Sequence, residues 1–430
     1  MIKNNDLNKM KTSFLSDNNN KIRRRVLNKV PITDLVTDQD TELEENFNIN
    51  IKTHGVTDQK YSGRCWAFSA ANILREKVIE KCNLENFELS LSYITFYEKL
   101  EKFNLSMAYL INYLDDGKGL YDRDVSTLLK IGICDGGYWT WFSDLVDKYG
   151  IVPKNVYSET FQSSNSSEIN YILSRLLRKF YIEIEKSDDK NKVKEEYLNK
   201  AYKILSSVQG VPPEKFDFEY TDKDGKYFID KGLTPKEFYD KYIGINIKDD
   251  YVELISYEDE KFKYNNLYTF EESNIIEEYD NLNFLNLSRK DFKDLIIKQL
   301  STKELVCFSS YVSNKRIEGI WTDLLSRYGE LLDIDLSLNS NEIIKTNEIS
   351  GAHAMVISGL KTIDDKPVKW KIENSWGDKY GHKGDYIADD DWFNKYVSGA
   401  IINKKYLSGK QKELLLKKPI TISKWDYKFD

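Results

Sequence analysis

Histidine and cysteine are scarce in this chain, and each shortage closes a class of function. Three histidines and four cysteines occur in 430 residues, with no Cys-x-x-Cys pair among them. That is too few ligands, wrongly spaced, for a tetrahedral zinc site. Four cysteines over this length do not make the disulfide framework of a small secreted domain. Long apolar runs are missing as well. None reaches the roughly 20 residues that a bilayer-spanning helix needs. The opening Met1-Ile2-Lys3-Asn4-Asn5-Asp6 has no apolar core of a secretory signal. We therefore expect a cytoplasmic protein that keeps its thiols reduced and makes no membrane contact. A basic excess is also absent. Lys plus Arg total 63 against 70 Asp plus Glu, a formal charge of −7. This argues against a nucleic-acid partner held by bulk charge, though not against a local basic surface. Hydrophobic residues at 40% and charged residues at 31% are globular values. The length suffices for a substantial core and for two or three ordinary domains.

What is present is a nucleophile with its partners. Cys65 stands in Gln59-Lys60-Tyr61-Ser62-Gly63-Arg64-Cys65-Trp66-Ala67-Phe68, just after a Ser-Gly turn. Ala67, Ala70, Ala71, Leu74 and Val78 then recur at helical spacing without Gly or Pro. A free thiol is mostly protonated at neutral pH, and a helix N-terminus or a neighbouring imidazolium favours the thiolate. Downstream lie His353, in Gly-Ala-His-Ala-Met-Val, and Asn374, in Glu-Asn-Ser-Trp-Gly. In this arrangement His353 shares a proton with Cys65 and later protonates the leaving amine. Asn374 orients the imidazole through its amide oxygen. Gln59 aims an amide NH2 at the developing oxyanion, a contribution of roughly 3–4 kcal/mol for one donor. Trp66 and Trp376, beside the nucleophile and the orienting amide, are expected as supporting residues, Trp376 covering the Asn–His hydrogen bond. Cys82, Cys134 and Cys307 are expected to be small buried hydrophobes, and His54 and His382 structural or surface residues. No metal and no organic cofactor is required.

Taken together these segments resemble the bleomycin hydrolase/aminopeptidase C family, a branch of the papain superfamily. The resemblance extends beyond the catalytic motifs: Asp135-Gly136-Gly137-Tyr138-Trp139, Lys148-Tyr149-Gly150-Ile151-Val152-Pro153-Lys154, Thr234-Pro235-Lys236-Glu237-Phe238-Tyr239, Gly381-His382-Lys383-Gly384 and Trp425-Asp426 follow in the family's order. Gln59, Cys65, His353 and Asn374 fall on its catalytic positions. The resemblance implies an α+β, papain-like fold with a helical half, an antiparallel barrel-like β half, a helical insertion and an N-terminal arm. It also implies peptide substrates, aminopeptidase activity and a homohexamer with sites facing an inner chamber. Gly136 and Gly137 would let a substrate backbone approach closely, since glycine carries no side chain.

The chain is expected to divide into an arm (1–50), a helical half with the nucleophile (51–180), a mainly helical insertion (181–300), a β half with His353 and Asn374 (301–405) and a tail (406–430). The Arg23-Arg24-Arg25 run reads as a solvated helix face. Helical periodicity is expected in Glu195 to Val208 and Arg289 to Leu300, and β-type runs in Glu304 to Tyr311, Ala354 to Leu360, Val368 to Glu373 and Gly384 to Ile387. No inhibitory pro-segment is expected ahead of Gln59. In the family the C-terminal carboxylate blocks the cleft and attracts the substrate's α-amine. Here Tyr427-Lys428-Phe429-Asp430 replaces the family's usual ending. With Asp430 in the cleft the protein is an aminopeptidase; with the tail elsewhere it is an endopeptidase. A nucleic-acid-binding or scaffolding hexamer is the reading from a different class, and hydrolysis of bleomycin-like amides would use the same site.

Overall fold

A computed structural model describes residues 1–36, 45–312, 319–348 and 351–426. Its architecture is α+β, a helical half packed on a large sheet. The alanine spacing after Cys65 forms the helix Cys65–Cys82, buried on nearly every side. Ala67, Ala70 and Ala71 let neighbouring elements come close to its axis, as a central helix requires. It stops at Asn83, which adopts the left-handed conformation that asparagine tolerates (φ 50°). Around it lie the helices Leu91–Asp115, Trp139–Tyr149, Ser167–Ile184 and Lys190–Gln209. Ser90 caps the first of these by accepting from the Tyr93 N–H at 3.1 Å. Phe103, Met107, Leu177, Phe180 and Leu205 fill the core between the outer helices.

The second half is an eleven-stranded sheet among the described residues. Its long strand His353–Ile363 lies between Val306–Ser310 and Lys366–Glu373, antiparallel to both. The register sets His353 opposite Ser310 and Glu373 opposite Val356. His353 therefore opens one strand, Asn374 directly follows the next, and the two side chains meet at one end of the sheet. Beyond Lys366–Glu373 comes Asp385–Asp389. Beyond Val306–Ser310 come Val397–Asn403 and Tyr251–Ile255. Not every pairing is antiparallel: Tyr251–Ile255 runs parallel to Asn283–Asn286, and Asp385–Asp389 parallel to Ile320–Trp321. Trp370, Ile372, Met355 and Ile357 are buried on the strands nearest the site.

Between 181 and 300, the stretch expected to be mainly helical, the chain makes the two expected helices and five strands as well. Phe216–Thr221 and Tyr227–Leu233 form a hairpin whose inward residues Phe216, Phe218 and Leu233 pack against the helical half. Tyr251–Ile255, Asn266–Phe270 and Asn283–Asn286 join the main sheet. Helical periodicity was legible because those helices are amphipathic. The strand Tyr251–Ile255 is buried over most of its length and has no clean alternation to read. At the N-terminus, helices Asn4–Ser16 and Asn18–Leu27 bury no residue of their own.

Candidate active site

Cys65 is the first residue of its helix, and Arg64 before it makes no side-chain cap. The N-terminal N–H groups of the helix, with their partial positive charge, therefore lie beside the sulfur. Burial alone pushes the thiol's pKa up. The charge of His353, the hydrogen bond from its imidazole and the backbone N–H groups of Ala354 and Trp66 outweigh that, and hold the thiol below its ordinary value. Sequence distance is irrelevant here: His353 arrives on a strand packed directly against the helix that Cys65 opens.

The imidazole's protonation follows from its other partner. His353 Nε2 lies 2.7 Å from Asn374 Oδ1, and that oxygen already accepts from the Ser375 N–H at 2.7 Å. An oxygen can only accept, so Nε2 must carry the hydrogen, which leaves Nδ1 for the thiol. Trp376 stacks on the His353 ring itself, with centroids 4.8 Å apart and planes tilted by 23°. It thus covers one face of the imidazole, and excluding water there strengthens the electrostatic pairing.

Gln59 is 8% exposed and locked at both ends of its amide. Its Oε1 accepts from the Ser375 hydroxyl at 2.7 Å, and its Nε2 donates to the Ser62 carbonyl at 2.7 Å. One N–H remains for a ligand. Ser375 is the residue sequence reasoning missed. Its N–H fixes Asn374, its hydroxyl fixes Gln59, and its carbonyl accepts the Gln59 backbone N–H at 2.9 Å. Only its place beside Asn374 hinted at this.

A cleft of about 490 Å³ opens between the halves, lined by Cys65, Trp66, Gly136, Gly137, Glu253 and Cys307 among others. The two glycines are needed for different reasons. Gly136 has φ +93° and open space where a Cβ would go. At Gly137 a Cβ would sit 2.6 Å from the Trp66 ring. Asp135 holds this loop to the one before the nucleophile. It accepts from the Gly63 N–H at 3.0 Å, from Lys99 Nζ at 2.8 Å and from Asn170 Nδ2 at 2.9 Å. Burial opposes its charge, but Lys99 and these donors hold its carboxyl well below the usual range. Cys82 and Cys307 are buried as expected, whereas Cys134 is exposed and lines the cleft, because its loop must stay open to form the wall. His54 pairs with Glu76 at 2.6 Å, away from the site. Asp430 lies outside the described residues. Glu253, an ionisable group in the cleft wall, was not anticipated; a single acid inside Tyr-Val-Glu-Leu-Ile was the signal.

A helical half and a sheet half that meet at a thiol, an imidazole and an amide define a papain-like cysteine peptidase. The family model described as Peptidase C1-like family matches residues 1–428. Similar proteins include aminopeptidase C of Lactobacillus helveticus, 40% identical, the match spanning 90% of this chain and 88% of that one. Aminopeptidase E of the same species is 33% identical over 98% of both. The crystal structure of PepW from Lactobacillus rhamnosis HN001 superposes with a TM-score of 0.94 at 36% identity, covering 99% of this chain and 98% of that one. This chain belongs to the Peptidase C1-like family. None of its described helices is long and apolar enough to cross a membrane.

Proposed function

We propose that this protein is a cytoplasmic cysteine aminopeptidase that removes single residues from the N-termini of peptides. The observation that carries the reading is the pairing of Cys65 with an imidazole whose far nitrogen is held by Asn374 at 2.7 Å. The names of the similar aminopeptidases support the exopeptidase part. Cys65 Sγ, as thiolate, attacks the first peptide carbonyl. The carbonyl oxygen takes the negative charge, stabilised by the Gln59 amide and the Cys65 backbone N–H. The carbon–nitrogen bond then breaks, His353 gives its proton to the leaving amine, and a thioester remains. Water loses a proton to His353, attacks the thioester and releases the amino acid, restoring the thiol. Gly136 and Gly137 receive the substrate backbone, and Asp430 at the tail's end limits the cleft and holds the α-amine.

The working division of the chain is the arm 1–50, the halves 51–180 and 301–405, the insertion 181–300 and the tail 406–430. The arm exposes Leu7, Met10, Phe14 and Ile22. A face left exposed among the described residues suits a neighbouring subunit of a homohexamer.

Digestion of a peptide library, half with free and half with acetylated N-termini, tests the activity. Stepwise loss of single residues from the free half is expected, and Cys65→Ala, still folded, should lose all cleavage. Activity in Cys65→Ala would refute the nucleophile. Deleting residues 427–430 should move cutting toward internal bonds, and an unchanged product pattern would refute the tail's role.

A further inference from the structure

Glu253 is 8% exposed, lies on the strand Tyr251–Ile255 and forms part of the same cleft wall as Cys65 and Gly137. Its Oε1 accepts from the Thr140 N–H at 2.7 Å and from the Thr140 hydroxyl at 2.6 Å, across the start of the helix Trp139–Tyr149. Those two donors are neutral. Among the described residues no Lys, Arg or His forms an ion pair with it, which is unusual for a buried carboxylate.

The cleft's other charged side chains are already matched. Asp135 has Lys99 at 2.8 Å, and Lys102 has Glu98 at 2.5 Å and the Gly136 carbonyl at 2.7 Å. Asp144, one helical turn beyond Thr140, has Lys248 at 3.1 Å. Opposite Glu253 on the adjacent strands stand Ile401 and Phe284, which do not titrate. Cys307, also in the wall, donates to the Ser69 hydroxyl oxygen at 3.3 Å. Around Glu253 the wall is apolar, with Ile255, Trp139 and Trp141 beside it. A hydrocarbon stem ending in a cation fits such a surface: the stem packs and the charged end finds the carboxylate.

We propose that Glu253 is a specificity-determining residue that receives the ammonium or guanidinium group of a basic substrate side chain. The inference rests on the peptidase reading of the same cleft. Burial pushes the free carboxyl up to about 7, the Thr140 donors offsetting only part of it. An arriving cation favours the ionised form, so cation recognition strengthens as pH rises through about 7.

The test uses three anilides of one chain length: lysyl, norleucyl and hexanoyl. Lysyl against norleucyl isolates the side-chain cation, and norleucyl against hexanoyl isolates the α-ammonium. Binding is measured by calorimetry to Cys65→Ala protein with and without Glu253→Gln, so no turnover is needed. A dead Cys65 enzyme would sink the peptidase reading without touching this result. Glu253→Gln should collapse the lysyl-to-norleucyl affinity ratio by on the order of ten- to a hundredfold, and collapse of the norleucyl-to-hexanoyl ratio instead would overturn the proposal. If neither ratio changes by more than about twofold, Glu253 only caps the Thr140 helix and the proposal fails. Should Glu253→Gln not fold, the lysyl-to-norleucyl ratio is followed on protein retaining Glu253 from pH 6 to 8. There the lysine side chain stays charged. A rise supports Glu253 as the receiver of the side chain. A flat profile overturns the proposal.

Discussion

Replacing Gly137 by alanine adds one methyl group and should damage both stability and catalysis. Gly137 is not among the residues with positive φ, so the backbone accepts alanine without strain. The difficulty lies across the cleft. The new Cβ would sit 2.6 Å from Cδ2 and Cε2 of Trp66. Carbon atoms pack at about 3.5–4.0 Å, so about 1 Å must be found. Trp66 is 3% exposed and cannot swing outward, so the loop or the first turn of the nucleophile helix has to move. Overpacking of this kind costs about 1–3 kcal/mol. A shift near 1 Å at the residue next to Cys65 should lower kcat on the order of a hundredfold. Urea denaturation and steady-state kinetics on Gly137→Ala read both effects. A Trp66→Phe background supplies the control. The smaller ring leaves room for the methyl, so the cost of Gly137→Ala should shrink by at least half in the double variant. Equal cost in both backgrounds, or no cost in either, would refute the steric account. Gly136→Ala meets nothing within 4 Å, yet should cost about 1–2 kcal/mol through its φ of +93° alone, whatever residue 66 is.

Iodoacetamide labelling of Cys65 should follow a titration below the ordinary thiol range. It should move upward in His353→Ala, where burial is no longer outweighed by the imidazole. An unmoved profile would mean that His353 does not set the thiol's charge. Glu373, next to Asn374, accepts from Arg75 Nη2 and Asn72 Nδ2, each at 2.7 Å, and so ties the nucleophile helix to the strand carrying the orienting amide. Glu373→Ala leaves the buried Arg75 guanidinium with Glu76 at 3.2 Å as its ion-pair partner and should cost about 1–3 kcal/mol in urea denaturation. A loss below about 1 kcal/mol would show that the pair is not a structural tie.

The sequence by itself singled out the thiol, the imidazole and the amide that the fold brings together. Cys65, His353 and Asn374 sit in short motifs whose neighbours are constrained locally. A Ser-Gly turn starts the buried helix, and apolar runs make the strands that carry His353 and precede Asn374. Those signals are short-range and survive in one dimension. The helices Lys190–Gln209 and Arg289–Ser301 were legible for the same reason, through a period of 3.6.

Only the tertiary structure decided what depends on distance across the fold. Ser375 as the link between Gln59 and Asn374, the steric demand of Trp66 on Gly137 and the exposure of Cys134 all arise from elements far apart in sequence. So does the placement of the strands from Tyr251 to Asn286 in the main sheet, where burial erases the alternation that would have announced them. Glu253 is the clearest case. An acid in an apolar strand says only that a charge is present; which groups face it, and that none of the described ones is a cation, is a property of the packed molecule.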